Sequence, residues 1–552
     1  MSKNENQLLN AILQDHFGFV VAKIGYEVLS NGHIPLQLLV RRSKFPPVKV
    51  KRCLRILHQH NLLYLQVNDR GAVEYTVVKN AVYSLSRYAA HYRHLVTRAT
   101  KFVLLAKALF GDTAEVIVEE ILRNGSLSMV AVIDNVTRRL NEAMEDQSCV
   151  DPQQVVDTFR ALVRAKFIRQ CPVVDRDRTA RENQLPCFKE VLNPFDLNAA
   201  VLDEQGASKL EFVQTTAPPS AKRAKMDRVD TTSTNRGLVT QPPEVLWRID
   251  SDKFQLTMRD QLLIKMVQNL YDEKAALVMK TLLCFSESRS DPRLPHSTML
   301  YSNDVYKLIP NQSEFRKSLF DQYLALLVDD SRRFLLKAGD SGGGAYQIDF
   351  MTCFKCMSQS LIEDIIKEKC GVWGLRFFRL LLDKRYLEQA EIESQALLPA
   401  KEARDVLYSM LSENFVAVKE VCKTGDFAPS RSFYLFHVNF NRVVRHCLDI
   451  SYKAEYNLIL RRQKETDDNK QIIEDEQKVE ALIMKIEQDP RLDEETKQTQ
   501  IQEVQEGYMP TAKKEQIELY KKHFTKIVQA EMQVDVTIFI LRSYLAFVSD
   551  LS

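Results

Sequence analysis

Hydrophobic residues recur with a helical period along the first part of the chain and then change to a strand-like alternation. The helical pattern covers residues 5–31, resumes over 36–40 and starts a third time at Pro46-Pro47. Apolar and polar residues then alternate over 62–78, on either side of a turn-forming Asn-Asp-Arg-Gly segment at 68–71. Three helices followed by a β-hairpin predict a winged helix.

The same order of elements, which we call a set, returns three more times. The second set ends in a strand-like segment at 168–174, and the third occupies residues 247–350. The fourth covers 352–438, where Pro399 opens a helix and two strand-like segments follow it. Repetition of one supersecondary unit predicts a tandem array.

The spacing of large apolar residues supports this repetition. In three sets, two apolar residues lie three positions apart near the end of the last helix. A third apolar residue follows five positions after the second of them. These triplets are Leu54, Leu57 and Leu62; Phe159, Leu162 and Phe167; and Leu407, Met410 and Phe415. In the third set the corresponding residues are Tyr323, Leu326 and Phe334, which depart by three positions. The common spacing predicts that each triplet joins a helix to a strand.

Beyond residue 440 the sequence changes to long, charged helical patterns. One heptad seam runs from Ile472 to Ile486, and a longer seam from Ile517 to Val548 is interrupted by the polar residue Glu531. A break between the two seams favours an intramolecular antiparallel coiled coil. A homodimeric coiled coil is the competing interpretation.

The predicted fold class is therefore mainly α with small β wings, in four tandem winged helices followed by a C-terminal coiled coil. Periodicity fades between the second and third sets, which predicts a partly disordered insertion at the second wing. The predicted boundaries are 1–85, 86–175, 244–350 and 351–440 for the winged helices, 176–243 for the insertion and 441–552 for the coiled coil.

Composition narrows the class of protein. The 552 residues are 45% hydrophobic and 27% charged, which is ordinary for a globular protein. The net charge is only +3, so affinity for nucleic acid must come from local patches. The 10 cysteines lack the spacing of a disulfide framework and fit reduced thiols in the cytosol or nucleus. With neither an apolar run of about 18 residues nor a signal-peptide core, we expect an intracellular protein.

Basic residues cluster in the first two sets. Those around the third helix of the first set are Arg41, Arg42, Lys44, Lys49, Lys51, Arg52 and Arg55, with Arg70 at the predicted wing tip. Those of the second set are Arg138, Arg139, Arg160, Arg164 and Lys166. A winged helix directs its third helix towards a groove and its wing towards phosphates, so these residues are candidate DNA contacts. A solvated face, or a surface for an acidic protein, is the alternative.

Other motifs are weaker signals. Lys222, Arg223, Lys225 and Arg228 form a short basic run that is a candidate nuclear-import signal. Ser341 lies in a Gly-Asp-Ser-Gly-Gly sequence that matches a hydrolase nucleophile, but the residues after it predict a strand where a nucleophile elbow needs a helix. Cys353 and Cys356 form a lone Cys-x-x-Cys without the further ligands of a zinc site. We expect no catalytic residue, no metal site and no cofactor.

Several motifs together resemble one family, the winged-helix subunit specific to DNA-directed RNA polymerase III, which is related to transcription factor IIE alpha. They are Gln14-Asp15-His16-Phe17-Gly18, the glycine-rich segment 339–348, the helix-to-strand segment 399–415, the segment 428–435 and Arg461-Arg462-Gln463. The resemblance runs through nearly the whole chain in order and fails mainly at 175–243.

The resemblance implies four extended winged helices, a coiled coil and a non-catalytic role. It also implies assembly with two smaller polymerase III subunits into a peripheral heterotrimer near the clamp of the largest subunit, contacts to initiation factors and DNA, and a place in the nucleus. Such a module supports promoter opening and transcription initiation at genes for small non-coding RNAs, and the family is also linked to sensing of cytosolic DNA. A free-standing winged-helix regulator, dimerised through its coiled coil, is the alternative function.

Overall fold

The computed structural model describes residues 3–67, 73–85, 101–143, 151–174, 188–189, 194–195, 245–287, 289, 294–309, 315–330, 332–422, 432–487 and 494–549. The chain divides into two compact units. One is Ile12–Gln255, and the other combines Met1–Ala11 with Leu256–Ser552.

The first set forms helices and a three-stranded antiparallel sheet in the order β1-β3-β2. Its elements are α1 Lys3–Phe17, α2 Phe19–Asn31, β1 Ile34–Pro35, α3 Leu36–Ser43, α4 Pro47–Gln59, β2 Leu63–Val67 and β3 Val73–Val77, followed by α5 Lys79–Leu85. Gly18, with φ of 81°, splits the predicted helical run of 5–31 into two helices. Glycine reaches this left-handed region without the steric penalty of a Cβ.

The second set repeats this plan with a sheet in the order β4-β8-β5. Its elements are α6 Lys101–Phe110, α7 Asp112–Asn124, β4 Leu127–Ser128, α8 Met129–Ala143, α9 Pro152–Arg164, β5 Ile168–Gln170 and β8 Leu246–Ile249, with a small pair of strands β6 Val173–Val174 and β7 Phe188–Lys189.

Strand β8 corrects one sequence assignment. Residues 246–249 were assigned to the third winged helix, but β8 pairs with β4 and with β5 and is the central strand of the second sheet. Trp247 is fully buried and its ring packs edge-on against Phe159 at 5.6 Å, which holds β8 against α9. The insertion therefore separates two strands of one sheet. Most of residues 176–243 lie outside the described residues.

The third and fourth sets each close with another three-stranded antiparallel sheet, ordered β10-β11-β9 and β12-β14-β13. The third contains α10 Ser251–Leu270, α11 Glu273–Glu287, β9 Leu300–Tyr301, α12 Ser302–Tyr306, α13 Lys317–Asp329, β10 Leu335–Gly339 and β11 Ala345–Ile348. The fourth contains α14 Phe350–Lys384, β12 Tyr386–Leu387, α15 Gln389–Ala396, α16 Ala400–Ser412, β13 Ala417–Cys422 and β14 Ser432–His437. The predicted fold class, mainly α with small β wings, is confirmed.

A corner with left-handed backbone joins the last helix of each set to its wing. The corner residues are Asn61 (φ 57°), Lys166 (φ 65°), Arg333 (φ 48°) and Asn414 (φ 59°). In three sets the next amide donates to the carbonyl five residues earlier: Leu62 to Leu57 at 2.9 Å, Phe167 to Leu162 at 3.0 Å and Phe415 to Met410 at 2.9 Å. This bond closes the helix end as in a Schellman motif. It also turns the last member of each predicted triplet into the core, where all nine triplet residues are buried.

The third set differs at this corner, and its predicted triplet is wrong. Leu326 is 41% exposed, whereas Leu324, Leu327 and Phe334 are buried. Helix α13 ends at Asp329, and Asp330 already has extended backbone (φ −61°, ψ 137°). The segment between the end of α13 and the corner at Arg333 is therefore longer than in the other sets. This changes the spacing between the buried residues of the helix and Phe334.

The C-terminal helices are α17 Phe440–Asp468, α18 Lys470–Glu487, α19 Glu494–Tyr508 and α20 Thr511–Ser549. Tyr544 donates to Asn441 at 2.8 Å near the start of α17, and the hydroxyls of Tyr520 and Thr466 lie 3.4 Å apart near its end. Helices α17 and α20 are thus antiparallel within one chain, as predicted. The two predicted seams lie on α18 and α20, and they were expected to pair with each other. This expectation needs correction, because α20 packs mainly on α17 while α18 packs on α19.

Glu531, the polar interruption of the longer seam, has a partner. Its carboxylate accepts two contacts from Nε of Arg462, at 2.8 and 3.1 Å, and the Arg462 side chain is only 4% exposed. Removing one member of a buried ion pair leaves an uncompensated charge in a site of low dielectric constant. The pair therefore fixes the register of α17 against α20.

By length and composition alone, α20 is apolar enough to cross a membrane. Its apolar side chains are instead used within the fold, since Phe524, Ile538 and Leu541 are buried. We interpret α20 as a core helix.

The corner at Lys166 gives a test of the fold. We expect Lys166→Gly to stabilise the protein by about 0.5–1 kcal/mol, because glycine adopts this backbone without strain. Ala165→Gly is the matched control: residue 165 has φ of −79°, so the change should destabilise by about 0.5–1 kcal/mol. Thermal unfolding of the full chain measures both. A lower midpoint for Lys166→Gly would contradict the proposed corner.

The ion pair gives a second test. We expect Glu531→Ala to destabilise the helix pair by about 3–5 kcal/mol, because the buried Arg462 loses the carboxylate that accepts from its Nε. The double variant Arg462→Met/Glu531→Leu should recover most of this loss, since it removes both charges and keeps the volume. Thermal unfolding followed by circular dichroism measures each variant. Equal stability of Glu531→Ala and the wild type would show that the pair has no role in register.

Candidate nucleic-acid interface

Helices α3 and α4 of the first set separate apolar from basic residues. On α4, Val50, Leu54 and Leu57 are buried, while Lys49, Lys51, Arg52 and Arg55 are exposed. Arg41 and Arg42 at the end of α3, and Lys44 after it, are exposed as well. All seven basic residues predicted around this helix therefore reach solvent.

Counter-charges are scarce on this surface. Residues 36–60 contain no Asp or Glu. Arg42 donates to the side-chain oxygen of Asn31, a neutral partner. The other six form no ion pair or side-chain hydrogen bond with any described residue. A cationic surface without internal compensation favours a polyanionic ligand.

Apolar and aromatic side chains lie beside these charges. Val48 and Ile56 on α4 are 60% and 37% exposed. The ammonium group of Lys23, on α2, lies over the ring of Phe45 at 5.3 Å and over that of Phe19 at 5.9 Å. Lys23 is exposed and extends the basic surface. Lys23 lies on a different helix from the basic cluster, so its position in the sequence does not connect it with that cluster.

The predicted wing-tip residue Arg70 lies outside the described residues. The strands that lead to it, β2 and β3, pair in regular antiparallel register from Leu63↔Val77 to Val67↔Val73. Wing strands are therefore present beside α4, as a winged helix requires.

The candidates of the second set lie in different environments. Arg164 is exposed at the end of α9, and Arg138 is exposed on α8, 3.9 Å from Glu142. Arg160 is half-buried and lies 3.7 Å from Asp157.

Arg139 is turned inward. Its guanidinium bridges Glu119 at 2.9 Å and Glu120 at 3.0 Å. Burial alone lowers the pKa of Arg139, but these two carboxylates outweigh it and the pKa is raised. Arg139 is thus balanced within the protein and is a poor candidate for binding phosphate.

Three other motifs were singled out in the sequence. The nuclear-import candidates Lys222, Arg223, Lys225 and Arg228 lie outside the described residues. Ser341 occupies a tight turn between β10 and β11, where Gly342 has φ of 67°. An added Cβ at Gly342 would lie 2.9 Å from the Tyr301 ring, so this segment is a hairpin tip that needs glycine.

Cys353 and Cys356 lie one turn apart on α14. Burial is the main cause that raises the pKa of the Cys353 thiol well above its ordinary value. A buried, protonated thiol is a poor metal ligand, and this favours a role in helix packing.

Family models match three separate parts of the chain. "RNA polymerase III subunit RPC82 helix-turn-helix domain" matches residues 7–66, and "RNA polymerase III subunit RPC82" matches 157–357. "POLR3C, C-terminal winged-helix domain" matches 362–438. Among curated relatives, DNA-directed RNA polymerase III subunit RPC3 of Bos taurus is 36% identical over 551 residues, covering 99% of each chain. That of Homo sapiens is 35% identical with the same coverage.

The chain belongs to the RPC3 family of RNA polymerase III subunits. A more distant relative, subunit rpc3 of Dictyostelium discoideum, is 26% identical over 242 residues, or 42% of this chain and 36% of its own length. The predicted resemblance is confirmed. RPC3 is an accessory, non-catalytic subunit of the polymerase. The helix-turn-helix match at 7–66 includes every basic residue predicted to contact DNA in the first set except Arg70 at the wing tip.

Reversing charge on α4 tests this surface. We expect the variant Lys49→Glu/Lys51→Glu/Arg52→Glu/Arg55→Glu to bind duplex DNA at least about tenfold more weakly, and its salt slope to fall by about 0.9 per lost phosphate contact. Fluorescence anisotropy over a salt series measures both quantities. The four side chains are exposed, so the circular dichroism spectrum should not change.

A control variant, Lys401→Glu/Arg404→Glu, reverses exposed charges on α16, where Glu402 and Asp405 make the helix face mixed in sign. This control should bind DNA like the wild type. If the α4 variant matched the wild type in affinity and salt slope, its charges would have no role in DNA binding.

Proposed function

We propose that this chain works in a peripheral heterotrimer of RNA polymerase III. It would assemble there with two smaller subunits near the clamp of the largest subunit, and contact initiation factors. Its role is to support transcription initiation and promoter opening at genes for small non-coding RNAs. The observation that carries the proposal is the match to polymerase III subunit RPC3 along 99% of the chain. Because the assembled polymerase transcribes nuclear genes, the proposed location is the nucleus.

The proposed mechanism is electrostatic and geometric. The uncompensated basic surface of α3 and α4 holds the DNA backbone near the polymerase cleft, without reading the base sequence. Phosphate contacts set the position and orientation of a duplex on a protein. A protein without catalytic groups can therefore favour open promoter DNA by holding its strands in place, while other subunits carry out the chemistry.

The fourth set is proposed to dock proteins. Its last helix carries Lys401, Glu402, Arg404 and Asp405 on an exposed face of mixed sign. Phe433 on its wing is 39% exposed, and Leu397, before α16, is 80% exposed. Exposed apolar side chains near balanced charges are typical of a protein interface and less suited to a phosphate backbone.

The domain organisation is part of the proposal. We propose winged helices at 1–85, at 86–175 together with β8, from the end of β8 to residue 350, and at 351–440, with an insertion at 176–243 and a coiled coil at 441–552. Strand β8 is transferred from the third winged helix to the second. The alternative, a free-standing regulator dimerised through its coiled coil, is less favoured because α20 packs along α17 of the same chain.

Affinity purification separates these functions. Tagged full-length chain, recovered from nuclear extract at moderate salt, should bring down the other polymerase III subunits in stoichiometric amount. The α4 charge-reversal variant should recover the same subunits, because its altered residues are proposed to face DNA. Recovery of a homodimer alone would overturn the subunit assembly and favour the free-standing regulator.

A further inference from the structure

Two arginines lie directly opposite each other on the second sheet. Arg169 of β5 and Arg248 of β8 are register partners in an antiparallel pair. Ile168 and Trp247, their neighbours along the strands, are fully buried, so the arginines occupy the other face of the sheet. Side chains of directly opposite residues have Cβ atoms about 4.5–5.5 Å apart, and like charges there are destabilising. This pair therefore needs a compensating charge.

The described residues compensate the pair only in part. Arg248 donates from Nη1 to the side-chain oxygen of Asn61 at 2.9 Å, which is a neutral contact. Arg169 lies 3.9 Å from a carboxylate oxygen of Asp250, whose other oxygen accepts from the amide of Asp252 at 3.2 Å. Asp250 and Asp252 are the carboxylates whose charges act on Arg248, and neither forms an ion pair with it as Asp250 does with Arg169. The buried Nε atoms of both arginines have no hydrogen-bond partner in the described part of the chain.

The electrostatics agree with incomplete compensation. Burial lowers the pKa of Arg248, and the nearby charge of Arg169 lowers it further. The Arg169 side chain is 28% exposed, so an anion in solvent can reach its guanidinium. A phosphate group would supply the missing charge, because its oxygens accept parallel bonds from guanidinium groups.

The arginine pair lies at the end of the proposed DNA-facing helix. Asn61, which contacts Arg248, is the corner residue after α4. Gln59, the last residue of α4, donates to the carbonyl of Asn124 at 2.7 Å, and an added Cβ at Gly125 would lie 2.8 Å from the Gln59 carbonyl oxygen. The first and second sets therefore meet closely here. Through its contact with Asn61, Arg248 lies beside the C-terminal end of α4.

We propose that Arg169 and Arg248 form a clamp for a backbone phosphate of the DNA bound along α4. Asn61 is a positioning residue that orients the Arg248 guanidinium. The clamp rests on the proposed function of α4 and extends it, because it adds a phosphate contact from the second set. A duplex that contacts both α4 and the arginine pair can lie across the first and second sets in one direction only. Contact with α4 alone would leave that direction free.

The test uses the full chain, a labelled short duplex of random sequence and a salt series. We expect the variant Arg169→Gln/Arg248→Gln to bind about tenfold more weakly, with a salt slope reduced by about 0.9 for one lost phosphate. The control Lys401→Gln/Arg404→Gln removes two exposed charges from α16 and should bind like the wild type. Unchanged affinity and slope in the arginine variant would overturn the clamp.

Thermal unfolding distinguishes a clamp from a structural ion pair. Without added anion, the arginine variant should unfold at the same temperature as the wild type or higher, because the variant lacks the repulsion. Inorganic phosphate should raise the midpoint of the wild type more than that of the variant, in which only the general effect of phosphate on folded proteins and on other basic surfaces remains. A lower midpoint for the variant, combined with unchanged DNA affinity, would mean that the arginines act only within the fold. If phosphate stabilises the wild type more than the variant but DNA affinity does not depend on the arginines, the site takes a free anion and the clamp is wrong.

The α4 charge-reversal variant separates this inference from the proposed function. If that variant loses DNA binding and the arginine variant does not, the clamp fails and the role of α4 stands. If only the arginine variant loses binding, the two arginines contact DNA but α4 does not, which overturns the role of α4 and with it the clamp as a contact to DNA bound along that helix. A wild-type chain that binds no duplex would overturn both.

Discussion

The fold depends on the corner that joins the last helix of each set to its wing. A single left-handed residue, such as Asn61 or Asn414, allows the next amide to reach back to a carbonyl in the last helical turn. That bond satisfies a helix-end carbonyl that would otherwise be unpaired and directs the following apolar residue into the core. The direction of the wing relative to the helix follows from this local geometry. One conformation, repeated along the chain, therefore builds the same unit from very different sequences.

Since the core fixes the unit, the exposed residues decide what each copy can bind. The first set combines a fully apolar inner face on α4 with an outer face that has no acidic residue. The second set uses Arg139 internally, against Glu119 and Glu120, and its cationic surface is correspondingly smaller. The fourth set has a mixed-sign helix. A common fold thus carries different functions, and only the chemistry of each surface separates DNA contact from protein docking.

Local periodicity predicted most of the helices, wings and corners, because these depend on residues close in sequence. The triplet ending in Phe415 is correct for this reason. In the third set the spacing departs by three positions because Asp330 leaves the helix before the corner. That departure does not identify which leucines of α13 are buried, so Leu326 was included wrongly. Strand β8 was misassigned because its partners lie far away across the insertion, and the pairing of distant strands has no local signal. The same distance hid the Arg169–Arg248 pair, and the inward direction of Arg139 depends on carboxylates of another helix.

Buried charge has opposite consequences at two places in this molecule. Between α17 and α20, Arg462 finds the carboxylate of Glu531 at hydrogen-bond distance, so the desolvated charges compensate each other and specify one helix register. On the second sheet, Arg248 finds the neutral side chain of Asn61 and faces a second arginine. The first arrangement is complete within the chain and stabilises the fold. The second is incomplete within the described residues, and we propose that a nucleic-acid phosphate completes it.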